Sequence, residues 1–227
     1  MMKLNLIFTS ALTALLAMNG FAQTEATVDA DQKRAADWVA TLKLDDTAKA
    51  ARITEVVTTH LKTVRDWHNA HPGTSVPAGI NPITGKKLNE VEREVIADSA
   101  MPKTAHETLM NGLHKDLSEE QVAAMLDKYT IGKVAFTMTG YRAIITNLTP
   151  DEEKMILTHL QQAREEAVDY KNMKEISTIF KIHKTQIEQY LNDHGRDWKQ
   201  LYKTYVDSLK TKKASAAAAT NAAPADQ

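Results

Sequence analysis

One short stretch of the chain, residues 65–71, is rich in side chains that bind small polar ligands. A sugar ring presents a C–H face that packs on an indole, while guanidinium, carboxylate, amide and imidazole groups hydrogen-bond its hydroxyls. Trp67 would be the stacking residue, although it also continues an apolar helical stripe and could instead pack in the core. The candidate ligand-binding residues are Arg65, Asp66, Trp67, His68, Asn69 and His71.

The two histidines of this stretch, His68 and His71, are three residues apart and come just before Pro72. On the last turn of a helix this spacing places both on one side, within reach of a metal ion or a polar ligand. One of them could instead cap the free carbonyls at the helix end, which is the role we favour. A zinc or copper site would need a third ligand, for which Asp66 or Asn69 is the local candidate. We predict no metal and no cofactor.

Motifs of known enzyme classes are incomplete in this sequence. His106 and Glu107 begin a zinc-protease pattern, but Met110 occupies the place of its second histidine. The glycine-rich stretch 79–87 lacks both the spacing of a phosphate loop and its Ser or Thr. We therefore favour a protein that is not an enzyme. A hydrolase or lyase would need paired carboxylates that face a cleft, and the candidates near residues 67–87 are Asp66, Glu90 and Asp98.

Residues 67–87 interrupt a chain that otherwise has helical periodicity. Half of the prolines and three of the eight glycines lie here, and proline both lacks a backbone donor and clashes with a preceding helical turn. Long irregular loops in compact domains are usually functional or disordered. We interpret residues 72–87 as a rigid wall built by prolines, and residues 65–71 as the end of a helix where binding chemistry could lie.

Sequence signals for helix starts recur along the rest of the chain. Capping residues precede apolar stripes at Asp46, at Asn89 with Glu92, at Ser118 with Gln121 and at Thr149 with Glu152. The fold class is predicted to be all-α, a helical domain of about six or seven helices with one long Pro/Gly-rich loop. The apolar faces of these helices are predicted to bury His60, His159 and His183 and the aromatic group Trp198, Tyr202 and Tyr205.

Two segments leave alternatives open. Residues 133–145 alternate Val134, Phe136 and Met138 with smaller residues, which fits a short extended segment, but a distorted helix is equally compatible. Residues 150–192 keep a helical stripe so long that they form either one extended helical arm or two helices that break near residues 169–172.

The two ends of the chain differ in composition from its middle. A short basic start, an apolar run of about 15 residues and small residues at Gly20 and Ala22 predict a signal peptide over residues 1–22. The apolar run is too short for a bilayer span. A helical domain would follow over residues 23–210, and an Ala-rich tail over 211–227 would be disordered. We therefore expect a periplasmic or secreted protein with no membrane span after cleavage.

Charge and cysteine content exclude several classes. The net charge is −1 with both signs interleaved, so there is no basic patch of the kind that nucleic acids require. The chain has no cysteine, which rules out disulfides and thiolate metal sites. The sequence gives no oligomeric state.

Five stretches of the sequence are distinctive: Val64-Arg-Asp-Trp-His-Asn-Ala-His, Val76-Pro-Ala-Gly-Ile-Asn-Pro, Ile96-Ala-Asp-Ser-Ala-Met, residues 127–141 and Asp169-Tyr-Lys-Asn-Met-Lys-Glu. Together they resemble an exported bacterial family of domains of unknown function, catalogued under number 3826 and described as sugar-binding. The resemblance covers roughly residues 30–210 and implies a carbohydrate-linked role in the cell envelope, with a saccharide as partner and a link to polysaccharide use. It supplies no catalytic residues.

A second likeness involves the helix starts Leu117-Ser-Glu-Glu-Gln and Leu148-Thr-Pro-Asp-Glu, which are similar to the repeats of periplasmic helical stress chaperones. Helix capping alone accounts for these residues. We rank this likeness second, and the alternative function that it implies is a chaperone-like or protein-interaction module. Such a module predicts a broad exposed apolar face along residues 150–192.

Overall fold

The structure is a computed structural model that describes residues 30–82 and 84–221, with side chains as far as residue 215. The predicted signal peptide lies outside these residues, as do the last six residues of the predicted tail. The backbone of the final helix continues to Asn221, and the assignment of residues 211–227 as a disordered tail stays a prediction.

The described part of the chain is all-α, which confirms the predicted fold class. It contains nine α-helices, a short 3-10 helix at Gly73–Ser75 and no strand, although Ile80 and Lys87 form a single antiparallel bridge. The estimate of six or seven helices was wrong, because residues 133–145 are helical and residues 150–192 form two helices. The helices are α1 (30–40), α2 (Thr47–Ala70), α3 (Glu90–Asp98), α4 (Lys103–Asp116), α5 (Glu119–Tyr129), α6 (Lys133–Ile144), α7 (Pro150–Ala167), α8 (Met173–Asp193) and α9 (Trp198–Asn221).

The predicted capping residues lie at the helix starts. The Asp46 carboxylate accepts the backbone N–H groups of residues 48 and 49 at the start of α2. Asn89 with Glu92 and Thr149 with Glu152 form complete capping boxes at α3 and α7. Ser118 and Gln121 exchange the same pair of hydrogen bonds before α5, at 3.1 and 3.4 Å. Each signal acts over three residues, which explains why sequence alone locates these starts.

Helix α6 replaces the extended segment that was one alternative for residues 133–145. Val134, Met138 and Tyr141 follow helical spacing and are buried, whereas Phe136 is 81% exposed. A strand would have placed Phe136 on the same face as Val134 and Met138. The extended alternative is therefore wrong, because the burial of apolar side chains overrides the local preference of Val, Thr and Phe for strands.

Helices α7 and α8 result from a break at residues 168–172. Asn172 caps α8 by accepting the backbone N–H groups of residues 174 and 175, so a new helix begins where the first one ends. The two helices pack against each other and bury their apolar stripes, including Ile156, Leu160, Ile176 and Ile187. The large apolar side chains that are exposed on the described α7 and α8 are Leu157, Met173 and Ile182.

The described part of the chain divides into two compact units, the first of which ends at Met125 and the second of which begins at Leu126. In the first unit, α2 packs on α4 and α3, and α3 packs on the 3-10 helix. In the second unit, α7 packs on α6 and α8, while α9 packs on α6 and α8. None of the helices within residues 30–82 and 84–221 has the combination of length and apolar character that a bilayer crossing requires.

Candidate functional site

Helix α2 carries all of the predicted ligand-binding residues except His71, which is its C-cap. Successive residues of an α-helix are rotated by about 100°, so neighbouring side chains point in different directions. The six residues therefore separate into two sets. Asp66, Trp67 and His71 line one groove, whereas Arg65, His68 and Asn69 do not line it.

This first groove is a cavity of about 560 Å³ that lies between α2 and the start of α4, within the first unit. Its volume falls in the range of small-molecule sites. Val56, Met101 and Leu109 supply apolar surface. The hydroxyl-bearing residues of its lining are Thr59, Thr63, Thr104 and Thr108.

Trp67 and His71 form a stacked pair in the wall of the first groove. Their ring centroids are 3.7 Å apart and their planes differ by 19°. The indole N–H of Trp67 donates to the Ala97 carbonyl at 3.3 Å, which holds the ring edge against the end of α3. The His71 ring nitrogen Nδ1 lies 2.9 Å from the Trp67 carbonyl, which is the helix-capping contact that we considered for one of the two histidines. One face of the indole is thus covered by the imidazole.

Arg65 connects α2 to α1 and holds Asp66 in place. Its guanidinium forms an ion pair with Asp31, and its Nε and Nη2 atoms lie 3.0 and 2.9 Å from Oδ1 of Asp66. The Asp66 side chain is 54% exposed, whereas that of Arg65 is 14% exposed. Arg65 therefore positions the carboxylate that the first groove presents to solvent, and its own charge is already paired.

His68 lies against α3 and is paired with Asp98. Its Nδ1 atom is 2.8 Å from Oδ2 of Asp98, whose side chain is only 2% exposed. The other carboxylate oxygen, Oδ1, is buried and has no hydrogen-bond partner within the described residues. A carboxylate in this position fixes the tautomer and orientation of an imidazole, as in many catalytic dyads and metal sites. Sequence reasoning named both residues but did not pair them.

The remaining predicted residues do not complete a metal or catalytic centre around His68 and His71. His71 is engaged with the end of its own helix and His68 with Asp98, so the two imidazoles contact different partners. Asn69 is exposed outside the first groove, and Glu90 is exposed at the start of α3. Among the three carboxylates considered for catalysis, only Asp66 lines the groove.

Residues 72–87 are held on α3 by side chains of that helix. Arg93 donates from Nε to the Val76 carbonyl and from Nη2 to the Thr74 carbonyl, both at 3.0 Å. Asn81 donates to Glu92 at 2.7 Å. Within the described part of this loop, no residue lines the first groove. The described residues of the loop therefore pack on α3 and do not form part of the candidate binding site.

A second groove, of about 570 Å³, lies in the second unit between α6, α8 and α9. Trp198, Tyr202 and Tyr205 line it, and Tyr202 is 51% exposed. Their assignment to the core was wrong, because Tyr202 is exposed and Trp198 and Tyr205 are only half-buried. Sequence reasoning missed this groove. The available signal was the accumulation of aromatic residues on one face of α9.

Comparisons with other proteins locate the chain in one family. A search of curated proteins gave no match. A family model matches residues 28–211, which include both units' described cores and both grooves. The chain therefore belongs to the family described as Protein of unknown function (DUF3826).

Proposed function

We propose that this protein is an exported, non-enzymatic protein that binds a saccharide in the first groove. The observation that carries the proposal is the stacked pair of Trp67 and His71 in a groove that also presents the Asp66 carboxylate. Sugar rings bind where an aromatic surface lies beside hydrogen-bonding groups, because their C–H faces and hydroxyls require both.

The threonines of the first groove support a ligand that donates hydrogen bonds. The Thr63 hydroxyl donates to the Thr59 carbonyl at 2.9 Å, and that of Thr108 donates to the Thr104 carbonyl at 2.6 Å. A hydroxyl that already donates to the helix keeps lone pairs that can accept. Together with the Asp66 carboxylate, these oxygens would accept hydrogen bonds from sugar hydroxyls that lie over the apolar surface of Val56, Met101 and Leu109.

The predicted signal peptide supports the exported part of the proposal, since polysaccharides are encountered in the cell envelope or outside the cell. Cleavage after Ala22 would leave Gln23 as the first residue. We expect the protein to be recovered from the periplasm or the medium with this N-terminus, as measured by mass spectrometry of the intact chain. A chain that stays in the cytoplasm with residues 1–22 attached would contradict export and leave the binding test unaffected.

Titration calorimetry against plant-type oligosaccharides tests the binding site. We expect saturable binding that weakens at least about tenfold in Trp67→Ala and less in Asp66→Asn, because stacking provides most of the contact area. Asn69→Ala is the matched control, since Asn69 is an exposed residue of the same helix outside the groove. Absence of binding to every saccharide, or equal binding by wild type and Trp67→Ala, would overturn the proposal.

A further inference from the structure

The second groove has an unusually aromatic lining. The Trp198 ring lies 5.2 Å from that of Tyr141 and 6.0 Å from that of Tyr202, measured between centroids. Tyr205 is half-buried in the same wall, and Phe136 on α6 is 81% exposed beside it. The faces of aromatic rings are electron-rich and attract cations.

One carboxylate lies among these rings. Glu188 is half-buried in the lining and, within the described part of the chain, has no hydrogen bond or ion pair. Burial raises the pKa of this carboxyl, and the positive charge of Lys184 partly opposes that shift. A carboxylate that loses water without gaining a partner is destabilised, so a positively charged ligand that replaces the lost water would be bound favourably.

The Tyr141 hydroxyl marks the deep wall of the second groove. It is buried and has no hydrogen-bond partner in the described residues. Burial raises the pKa of Tyr141, and the nearby charge of Glu188 adds to that effect. The Glu188 carboxylate is therefore close enough to this wall to act on Tyr141.

Gly140 leaves the floor of the second groove open. It lies within α6, and a Cβ atom built on it would meet no other atom within 4 Å. Glycine inside a helix lowers its stability relative to alanine, and no packing contact accounts for its presence here. Without a side chain at this position, a ligand can approach the backbone of α6.

We propose that the second groove binds a small organic ammonium ion. Its positive charge would lie against the Trp198 and Tyr202 rings, and the Glu188 carboxylate would supply the counter-charge. Apart from the Lys184 ammonium, the lining presents aromatic rings and a carboxylate, which attract positive charge. An anion would be repelled by Glu188. A neutral saccharide would bring no positive charge to this carboxylate. The site is in the other unit from the first groove and does not depend on the proposed saccharide function.

Lys184 provides a signed test of this assignment. It lies one helical turn before Glu188 on α8, lines the same groove, and its charge lowers the pKa of Glu188. Its positive charge opposes a bound cation, so Lys184→Gln would tighten ammonium binding by about threefold, whereas it would weaken the binding of an anion. This opposite response distinguishes the two charges of ligand.

The experiment compares choline with 3,3-dimethylbutan-1-ol, its uncharged counterpart of nearly the same shape, on the full chain by calorimetry and tryptophan fluorescence. We expect choline to bind and the alcohol to bind at least about tenfold more weakly. Glu188→Gln and Tyr202→Ala should each weaken choline binding by about tenfold, and Gly140→Leu should abolish it by filling the floor. Both Tyr202 and Gly140 tolerate substitution, because the first is 51% exposed and the second faces open space.

Glu153→Gln, which removes an exposed carboxylate of α7, is the control and should leave choline binding unchanged. Equal binding of choline and the alcohol would overturn the proposal, as would the absence of choline binding. It would also be overturned if a neutral oligosaccharide bound in the second groove and lost affinity in Tyr202→Ala.

Discussion

Arg196 holds both carboxylate oxygens of Glu152. Its Nε atom lies 2.7 Å from Oε1 and its Nη2 atom 2.9 Å from Oε2, and the Glu152 side chain is only 9% exposed. Oε2 also accepts the backbone N–H of Thr149 at 2.8 Å, which completes the capping box of α7. One carboxylate thus connects the start of α7 to the turn between α8 and α9, two sites that are 44 residues apart in the chain.

Replacement of Glu152 by glutamine should lower the free energy of unfolding by about 3 kcal/mol, because it leaves the largely buried Arg196 charge without a counter-ion. Urea denaturation followed by circular dichroism measures this change. Glu153→Gln is the matched control. The Glu153 carboxylate pairs with Arg142 at the surface, with side chains 40% and 59% exposed, and its loss should change stability by less than about 1 kcal/mol. Equal effects of the two variants would contradict the prediction.

The same ion pair should make stability depend on acid pH. The hydrogen bonds from Arg196 are the main reason why the pKa of Glu152 falls from 4.5 to about 2, although burial opposes the shift. The unfolded chain therefore binds a proton on this group at a higher pH than the folded chain does. Its contribution is complete above about pH 4.5 and is lost as the pH falls towards 2. In Glu152→Gln, the free energy of unfolding should fall less steeply across this interval. Parallel slopes for the two proteins would refute the assignment.

The start of α7 was predictable from sequence, but the Arg196 contact was not. A capping box is written in four consecutive residues, from Thr149 to Glu152, and it needs no knowledge of the rest of the fold. The Arg196 guanidinium belongs to the turn after α8, and no local sequence pattern indicates that it lies beside Glu152. For the same reason α6 was ambiguous, since burial of Val134 and Met138 depends on helices elsewhere in the second unit.

The candidate site was predictable in outline. Sequence reasoning selected the end of α2, and three of its six residues, Asp66, Trp67 and His71, line the first groove. The division into two faces follows from helical geometry alone and could have been made from sequence. The partners of Arg65 and His68 could not be predicted from the sequence. Arg65 pairs with a residue 34 positions earlier and His68 with one 30 positions later, and these contacts exist only in the folded chain.

Gly112 and Gly140 are helical glycines that should respond in opposite ways to alanine. A Cβ atom at Gly112 would lie 2.7 and 2.8 Å from the two Cγ atoms of Val56, where α4 packs on α2. We expect Gly112→Ala to lower the free energy of unfolding by about 1 to 3 kcal/mol, because the added methyl group overpacks the contact between the two helices. Gly140→Ala should raise the free energy of unfolding by about 1 kcal/mol, because the added methyl group meets no neighbouring atom and alanine favours the helix more than glycine does.

Thermal and urea unfolding of both variants measures this difference. Val56→Ala supplies the internal control, since removal of the two Cγ atoms should allow Gly112→Ala to recover most of its loss in the double variant. The explanation fails if Gly112→Ala is as stable as wild type, or if Val56→Ala does not reduce its effect.

Arg93 should control the order of residues 72–87 without controlling the stability of the whole chain. Its guanidinium donates to the carbonyls of Thr74 and Val76, so removal of this side chain leaves both carbonyls to water. Lys86 and Lys87 are exposed in this loop and are sites for trypsin. We expect Arg93→Ala to be cleaved there at least about tenfold faster, because local opening becomes about 1.5 kcal/mol or more easier. Arg142→Ala, which removes an exposed arginine elsewhere, should be cleaved at the wild-type rate. Unchanged cleavage of Arg93→Ala would mean that the prolines alone hold the loop, because their fixed φ angles would then suffice without the side-chain contacts.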